Sequence, residues 1–384
     1  MKKTVLILLS YVLVATMASA LTLGIQTWKG EGESKLEQLS RLIDLCYIED
    51  VDVTELEDAA AEAMLNATGD RWGYYVPADE MISHKESVEN AYVGIGITIT
   101  VDEDMGGFRI VEVSDAGSAG EAGLQVGDVI IAIEGQAVAG MTTLGGRNLV
   151  RGEEGTQVAI TLLRGEEEME FSVTRRKVEV AVAVGQMLGN GIGLIAINNF
   201  DDRCASETIA AIEELQKQGM EKLIFDVRGN PGGYATELVR LLDYLLPEGD
   251  LFRTVDYRGK ETVDTSDAKC LQIPMAVLVN GDSYSAAEFF AVALQEYEAA
   301  IVVGEKTTGK GYFQNMFHLN DGSGAAISTG KYYTPKGISM EGVGITPDVE
   351  IKMDEETMLR FYYGQLTAEE DPQIRAAVEV LLAK

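Results

Sequence analysis

Residues 274–297, "PMAVLVNGDSYSAAEFFAVALQEY", decide the fold. An apolar run turns through Asn280, Gly281 and Asp282 and then continues with a helical pattern. A short apolar run bounded by turn residues fits a buried strand. Strand, turn and helix in succession form the unit of an α/β sheet. The unit repeats on both sides. "GIGLIAIN" (191–198), "KLIFDV" (222–227) and "AIVVGE" (300–305) read as strands, and "ASETIAAIEELQKQG" (205–219) and "ATELVRLLDYLL" (235–246) as helices. This alternation predicts a largely parallel sheet with crossover connections.

Open sheets of this kind place their sites at the carboxyl ends of the strands. Three loops leave those ends: the one holding Ser283 and Ser285, "DVRGNPGGY" (226–234) and "GEKTTGKGYFQ" (304–314). Gly232 and Gly233 can expose backbone N–H groups. A serine hydroxyl at a strand-to-helix corner is a candidate nucleophile, but it needs a base. The chain has two histidines, His84 and His318, neither at a useful spacing. Lysine is the remaining base, and its ammonium, with an ordinary pKa near 10.4, must be brought to neutrality by burial. Lys310, between two glycines, is the leading candidate, with Lys306 and Lys336 as rivals. Gly304, Gly309 and Lys310 also satisfy G-x-x-x-x-G-K. Gly311 stands where a phosphate loop needs a hydroxyl, however, and "YFQNMFHL" (312–319) alternates like a strand where such a loop should open a helix.

The chain has 384 residues, 46% of them hydrophobic, enough for two or three globular units. A net charge of −31 excludes a nucleic-acid surface, which needs clustered Lys and Arg. Three cysteines form neither a CxxC pair nor a disulfide framework, and so few Cys and His leave no basis for structural zinc. Residues 4–25 are uncharged and largely apolar behind Lys2 and Lys3. The segment 1–25 reads either as a signal peptide cleaved after Ala18-Ser19-Ala20 or as a retained membrane anchor. In both cases the body is expected outside the cytoplasm.

Residues 26–90 carry a helical pattern, with Leu36, Leu39, Ile43 and Cys46 on one face and Leu56, Ala60, Ala63 and Met64 on a second helix. "TGDRWGYYVPADE" (68–80) interrupts it. Residues 91–180 change to short strands with glycine turns, a short helix at 142–152 and a closing hairpin. In order and in two motifs this region is similar to a PDZ domain. Gly94-Ile95-Gly96-Ile97 sits where that family has its carboxylate-binding loop, and Gly123-Leu124 with Gly127-Asp128 match its internal signature. Glycines let successive N–H groups converge on a terminal carboxylate while the peptide adds as a strand. Residues 181–350 then form the α/β core, and 351–384 a C-terminal helical segment.

The core resembles the C-terminal processing peptidases, or tail-specific proteases, which use a Ser-Lys dyad. Their nucleophile motif is similar to S-A-S-A-S-E with the middle serine active; aligned on Glu288, that serine is Ser285. Their lysine lies in a G-K-G loop, here Lys310, 25 residues further on. Gln314 matches the glutamine that helps hold the lysine, and "DVRGNPGG" and "EGVGITPDVEI" (341–351) match two further segments. Tyr284 replaces a small residue, Ala287 replaces the last serine, and "DRWGYYVP" is a looser version of its segment. The resemblance implies an α/β peptidase core with a mainly parallel sheet, a preceding or inserted PDZ β-domain and an N-terminal helical segment. It implies Ser285 as nucleophile, Ser283 as a structural hydroxyl, Lys310 as base, and an oxyanion hole from the N–H of Ala286 and one from Gly232 or Gly233. No metal or cofactor is implied. The expected partners are proteins with exposed C-termini, and the terminal helices are candidates for contact between copies. The alternative is a non-catalytic PDZ adaptor on a degenerate core; intact Ser285, Lys310 and Gln314 argue against it.

Overall fold

The computed structural model describes residues 34–383, so the export segment expected at 1–25 lies outside the described residues. The chain divides into two units, Met1–Gly69 and Asp70–Lys384. The described part of the first is two helices, Lys35–Cys46 and Val53–Asn66. Ser34 starts the former with a capping box: its N–H donates to Glu37 Oε2 at 2.6 Å, and its hydroxyl accepts from the Glu37 N–H at 3.3 Å. Asp52 starts the latter by accepting from the Thr54 N–H at 2.8 Å. Among the described residues no helix is long and apolar enough to cross a membrane.

The second unit is built on a six-stranded sheet in the order Ala183–Gly189, Ile192–Ile197, Lys222–Asp226, Met275–Val279, Ala300–Gly304, Val349–Glu350. The first pair is antiparallel and the other four are parallel. Strand periodicity divides the side chains between two cores. Met275, Val277 and Val279 pack into one core with residues of the helices Cys204–Lys217, Ala235–Leu245 and Ala286–Glu296. Ala276 and Leu278 pack into another with Ile374, Ala377 and Leu381 of the helix Pro372–Leu382. Both faces are covered, which is why these strands read as unbroken apolar runs. Phe290, fully buried, meets Phe225 edge-on at 5.1 Å. Burying each such ring contributes about 2–3 kcal/mol.

A second sheet is antiparallel throughout: Tyr74–Val76, Gly324–Tyr333, Gly249–Asp256 and Glu261–Ser266 in that order, with Tyr312–His318 also paired to Gly324–Tyr333. Of these strands, the sequence predicts only the one after Gly311.

The β-domain orders its strands Ile97–Asp102, Gly107–Val113, Val129–Ile133, Gln157–Arg164, Glu167–Thr174 around its own core, which includes Phe108, Ile110, Ile130 and Ile160. The strand Ala91–Gly94 pairs with Arg176–Glu179 and closes the domain where the chain enters and leaves it. The short helix is Thr143–Val150. Thr142 caps its start by accepting from the Gly145 N–H at 3.2 Å, and the buried Arg175 closes its end by donating to the Val150 carbonyl at 2.7 Å.

Candidate active site

Ser285 stands between the strand Met275–Val279 and the helix Ala286–Glu296, with φ 57° and ψ −126°. This left-handed conformation is strained for a residue with a Cβ. Sharp corners of this kind lift a nucleophile out of the sheet. Ser283 serves the turn instead. It is fully buried, its hydroxyl donates to the Val227 carbonyl at 2.7 Å, and it accepts from the Asn280 N–H at 3.1 Å.

Gly232 presses against the corner. A Cβ there would lie 2.8 Å from both Ser285 Cβ and Ala286 N. Buried Asn230 holds this loop: its amide donates to the Ile197 carbonyl at 2.7 Å, its Oδ1 accepts from the Gly232 N–H at 2.8 Å, and its carbonyl accepts from the Tyr284 N–H at 3.1 Å. The Gly232 N–H is therefore already committed. The N–H groups of Gly233 and Ala286 take part in no hydrogen bond among the described residues. Ala286 opens its helix, where the backbone dipole favours negative charge.

Glu288 joins the serine corner to the lysine loop. It is fully buried and accepts four hydrogen bonds. Oε2 receives the N–H of Ser285 at 3.0 Å and of Lys310 at 2.8 Å; Oε1 receives the Thr307 hydroxyl at 2.5 Å and the Gly309 N–H at 2.7 Å. Glu288→Gln puts an NH₂ where at least one of these donors needs an acceptor. We expect a loss of about 3 kcal/mol in urea denaturation and a fall in activity with the lysine loop released.

The segment around Glu341 backs the same loop. Glu341 accepts from the Gly311 N–H at 2.7 Å and the Trp72 indole at 3.0 Å. A Cβ on Gly309 would lie 2.7 Å from Gly344 N, and one on Gly344 2.3 Å from the Thr307 carbonyl oxygen. The glycines of both motifs are what let the two loops touch.

The Lys310 amine lies 5.2 Å from the ring centre of Trp72 and 5.8 Å from that of Tyr284. These rings stack 6.5 Å apart at 21°. Burial pushes the Lys310 pKa below that of an ordinary lysine, although the charges of Asp70, Glu341 and Glu288 pull the other way. No hydrogen bond joins Lys310 Nζ to the Ser285 hydroxyl among the described residues, so the two loops adjoin without a closed dyad. Gln314 lies where the strand Tyr312–His318 shifts register, and its amide donates to the Ser328 hydroxyl at 2.9 Å and the Tyr312 carbonyl at 3.2 Å. Lys306, Lys336 and His318 are exposed, and His84 Nε2 is 3.0 Å from the Tyr74 hydroxyl. Among the described residues no group of three or more His, Cys, Asp or Glu could hold a metal ion.

In the β-domain, a groove of about 340 Å³ runs between Gly94–Ile99 and the helix Thr143–Val150. The carbonyls of Ile95 and Gly96 turn inward, accepting from the N–H groups of Ser118, Ala119 and Ser114 at 2.9–3.0 Å. The Ile95 and Gly96 N–H groups are in no hydrogen bond among the described residues. Such a pair can meet an anion.

Residues 191–351 match the model of peptidase family S41, and residues 93–174 match that of the PDZ domain. The carboxy-terminal processing protease CtpA of Bacillus subtilis is 30% identical over 375 residues, covering 94% of this chain and 80% of that protein. The chain belongs to the carboxy-terminal processing proteases of family S41. A probable CtpA-like serine protease of Staphylococcus saprophyticus is likewise 30% identical, over 91% of this chain and 73% of its own. A crystal structure of an S41-type protein from Bacteroides fragilis, 17% identical, superposes with a TM-score of 0.54 over 92% of this chain and 98% of that one. It shares the fold. As a family S41 serine protease with a PDZ domain, the chain needs a nucleophile, a base and a place for the developing oxyanion.

Sequence reasoning missed Asn230, Trp72 and Glu341 as parts of the site and used Glu288 only for alignment. A local signal existed for Asn230: an Asn side chain readily accepts the N–H two residues on, which is how the Gly232 N–H is taken.

Proposed function

We propose that this protease is an exported endopeptidase that takes a protein's free C-terminus into its PDZ groove and cleaves the tail with Ser285 and Lys310. Residues 1–25 carry the body out of the cytoplasm, cleaved or retained as an anchor, and the terminal helices provide a contact between copies. The observation that carries the catalytic reading is that one buried carboxylate, Glu288, binds the backbone of both Ser285 and Lys310 beside two unengaged N–H groups. The Ser285 hydroxyl attacks the scissile carbonyl while neutral Lys310 takes its proton. The oxyanion is met by the N–H of Ala286 and of Gly233, since that of Gly232 is held by Asn230. Lys310 returns the proton to the amine of the departing tail as the C–N bond breaks, and water then hydrolyses the ester that holds the body of the substrate on Ser285. The Trp72 and Tyr284 rings attract an ammonium and lose that attraction when it becomes an amine. Deprotonation thus frees Lys310 to reach Ser285, with the Gln314 side-chain oxygen, which is in no hydrogen bond among the described residues, as its guide. Catalytic contacts that close only with substrate bound are common.

The test is a folded reporter with an unstructured tail ending in an apolar residue, offered as the free acid and as the amide, with products read by mass spectrometry. The free-acid tail should be shortened, and the amidated one cleaved at least about 10-fold more slowly at low concentration, because a charge-assisted contact is lost. Equal rates would remove the groove from the reading. Binding without cleavage of either tail would favour the adaptor.

A further inference from the structure

Among the described residues, the only charged side chains lining the groove are Arg147 and Arg151, on a chain of net charge −31. The remaining lining is largely apolar: Ile95, Ile97, Ile99, Leu144 and Val150. Arg151 is occupied. It pairs with Glu86 and lies over the Tyr92 ring at 5.4 Å. Arg147 is exposed and belongs to no ion pair among the described residues, although Glu86 and Arg151 border the hollow it shares with them. The lining threonine Thr98 gives its hydroxyl to Glu112, 3.1 Å away, on the strand beside it.

We infer that Arg147 selects tails bearing an acidic side chain two residues before an apolar C-terminal residue. This rests on the reading that the groove takes free C-termini. Arg151 lies by Tyr92, two residues before the carboxylate loop, so the helix C-terminus marks the carboxylate end of the groove. Arg147 is four residues back along the helix, about 6 Å at 1.5 Å per residue. An extended tail advances about 3.3 Å per residue, so 6 Å corresponds to about two residues. Side chains two apart on a strand share a face. The C-terminal side chain, against Ile97 and Val150, and the one two before it therefore both face the helix, and the second meets Arg147. The two unengaged loop N–H groups hold the terminal carboxylate, which leaves Arg147 free for a side chain.

The experiment uses the full chain carrying Ser285→Ala, so that tails bind uncut, and labelled peptides ending in Val with Glu, Gln or Lys two residues earlier. Fluorescence polarisation should give about 5-fold weaker binding for Gln than for Glu, with Lys weaker still, and the gap should shrink in high salt. Arg147→Glu should reverse the order of Glu and Lys peptides, and Arg147→Lys should keep it. Equal binding of Glu and Lys peptides, with the amidated peptide still weaker, overturns the role of Arg147 and leaves the groove reading standing. Indifference to amidation, or no binding of any free-acid peptide, overturns both. An unchanged order in Arg147→Glu, with a native circular dichroism spectrum, assigns the preference to another group and overturns the inference.

Discussion

Ser285→Ala is expected to lower tail cleavage by about 10⁴-fold or more while leaving tail binding intact. Nucleophile and base act as a unit, and removing one abolishes nearly all that the set provides. The same change at Ser283 should leave activity within about tenfold of native. Its hydroxyl is spent on the Val227 carbonyl inside the turn, so its loss costs roughly 1–2 kcal/mol of stability instead. A single assay on both variants with a titration of bound peptide separates the roles. Activity in Ser285→Ala, or an inactive but folded Ser283→Ala, would exchange the assignments.

Lys310→Arg should be as inactive as Ser285→Ala, although the positive charge is kept. The base has to be neutral, and guanidinium does not deprotonate in proteins. The pH profile carries the same argument with a definite sign. Burial holds the Lys310 pKa below that of a free lysine. Below that pKa the ammonium form dominates and activity falls about tenfold per pH unit. Above it the amine is available and the rate levels off. The native enzyme should therefore show one ascending limb, centred below the ordinary lysine range, that Lys310→Arg lacks at every pH. Near-native turnover in Lys310→Arg would rule lysine out as the base.

The sheet was legible through its four central strands, which are apolar, covered on both faces and separated by helices of clear period, whereas the edge strands Ala183–Gly189 and Val349–Glu350, half-buried or exposed, gave no such run. Residues 275–279 announce themselves in five consecutive positions. The antiparallel sheet gave no comparable signal. Tyr74–Val76 pairs with the far end of the chain, Tyr74 opposite Ala326, and nothing local to residues 74–76 foretells that partner. The stretch at 68–80 read as a break between helices, yet it delivers Trp72 to Lys310. Glu288 illustrates the same limit at the site. Its sequence position marked a motif, but its four donors come from two loops that meet only in the folded chain. Local chemistry fared better: the two glycines flanking Lys310 fit a loop brought close to another, and a Cβ on Gly309 or Gly311 would lie 2.7 or 2.8 Å from the backbone of the segment 341–344.

With Ser285 as the proposed nucleophile, its backbone sets folding against turnover. A side chain at φ 57° and ψ −126° costs of order 1–3 kcal/mol, and glycine escapes most of that. The substitution that most relaxes this corner is thus one that deletes the hydroxyl. A library of this chain sorted for thermal resistance alone would drift toward dead enzymes at position 285, and only a sort that scores cut substrate would hold the serine in place.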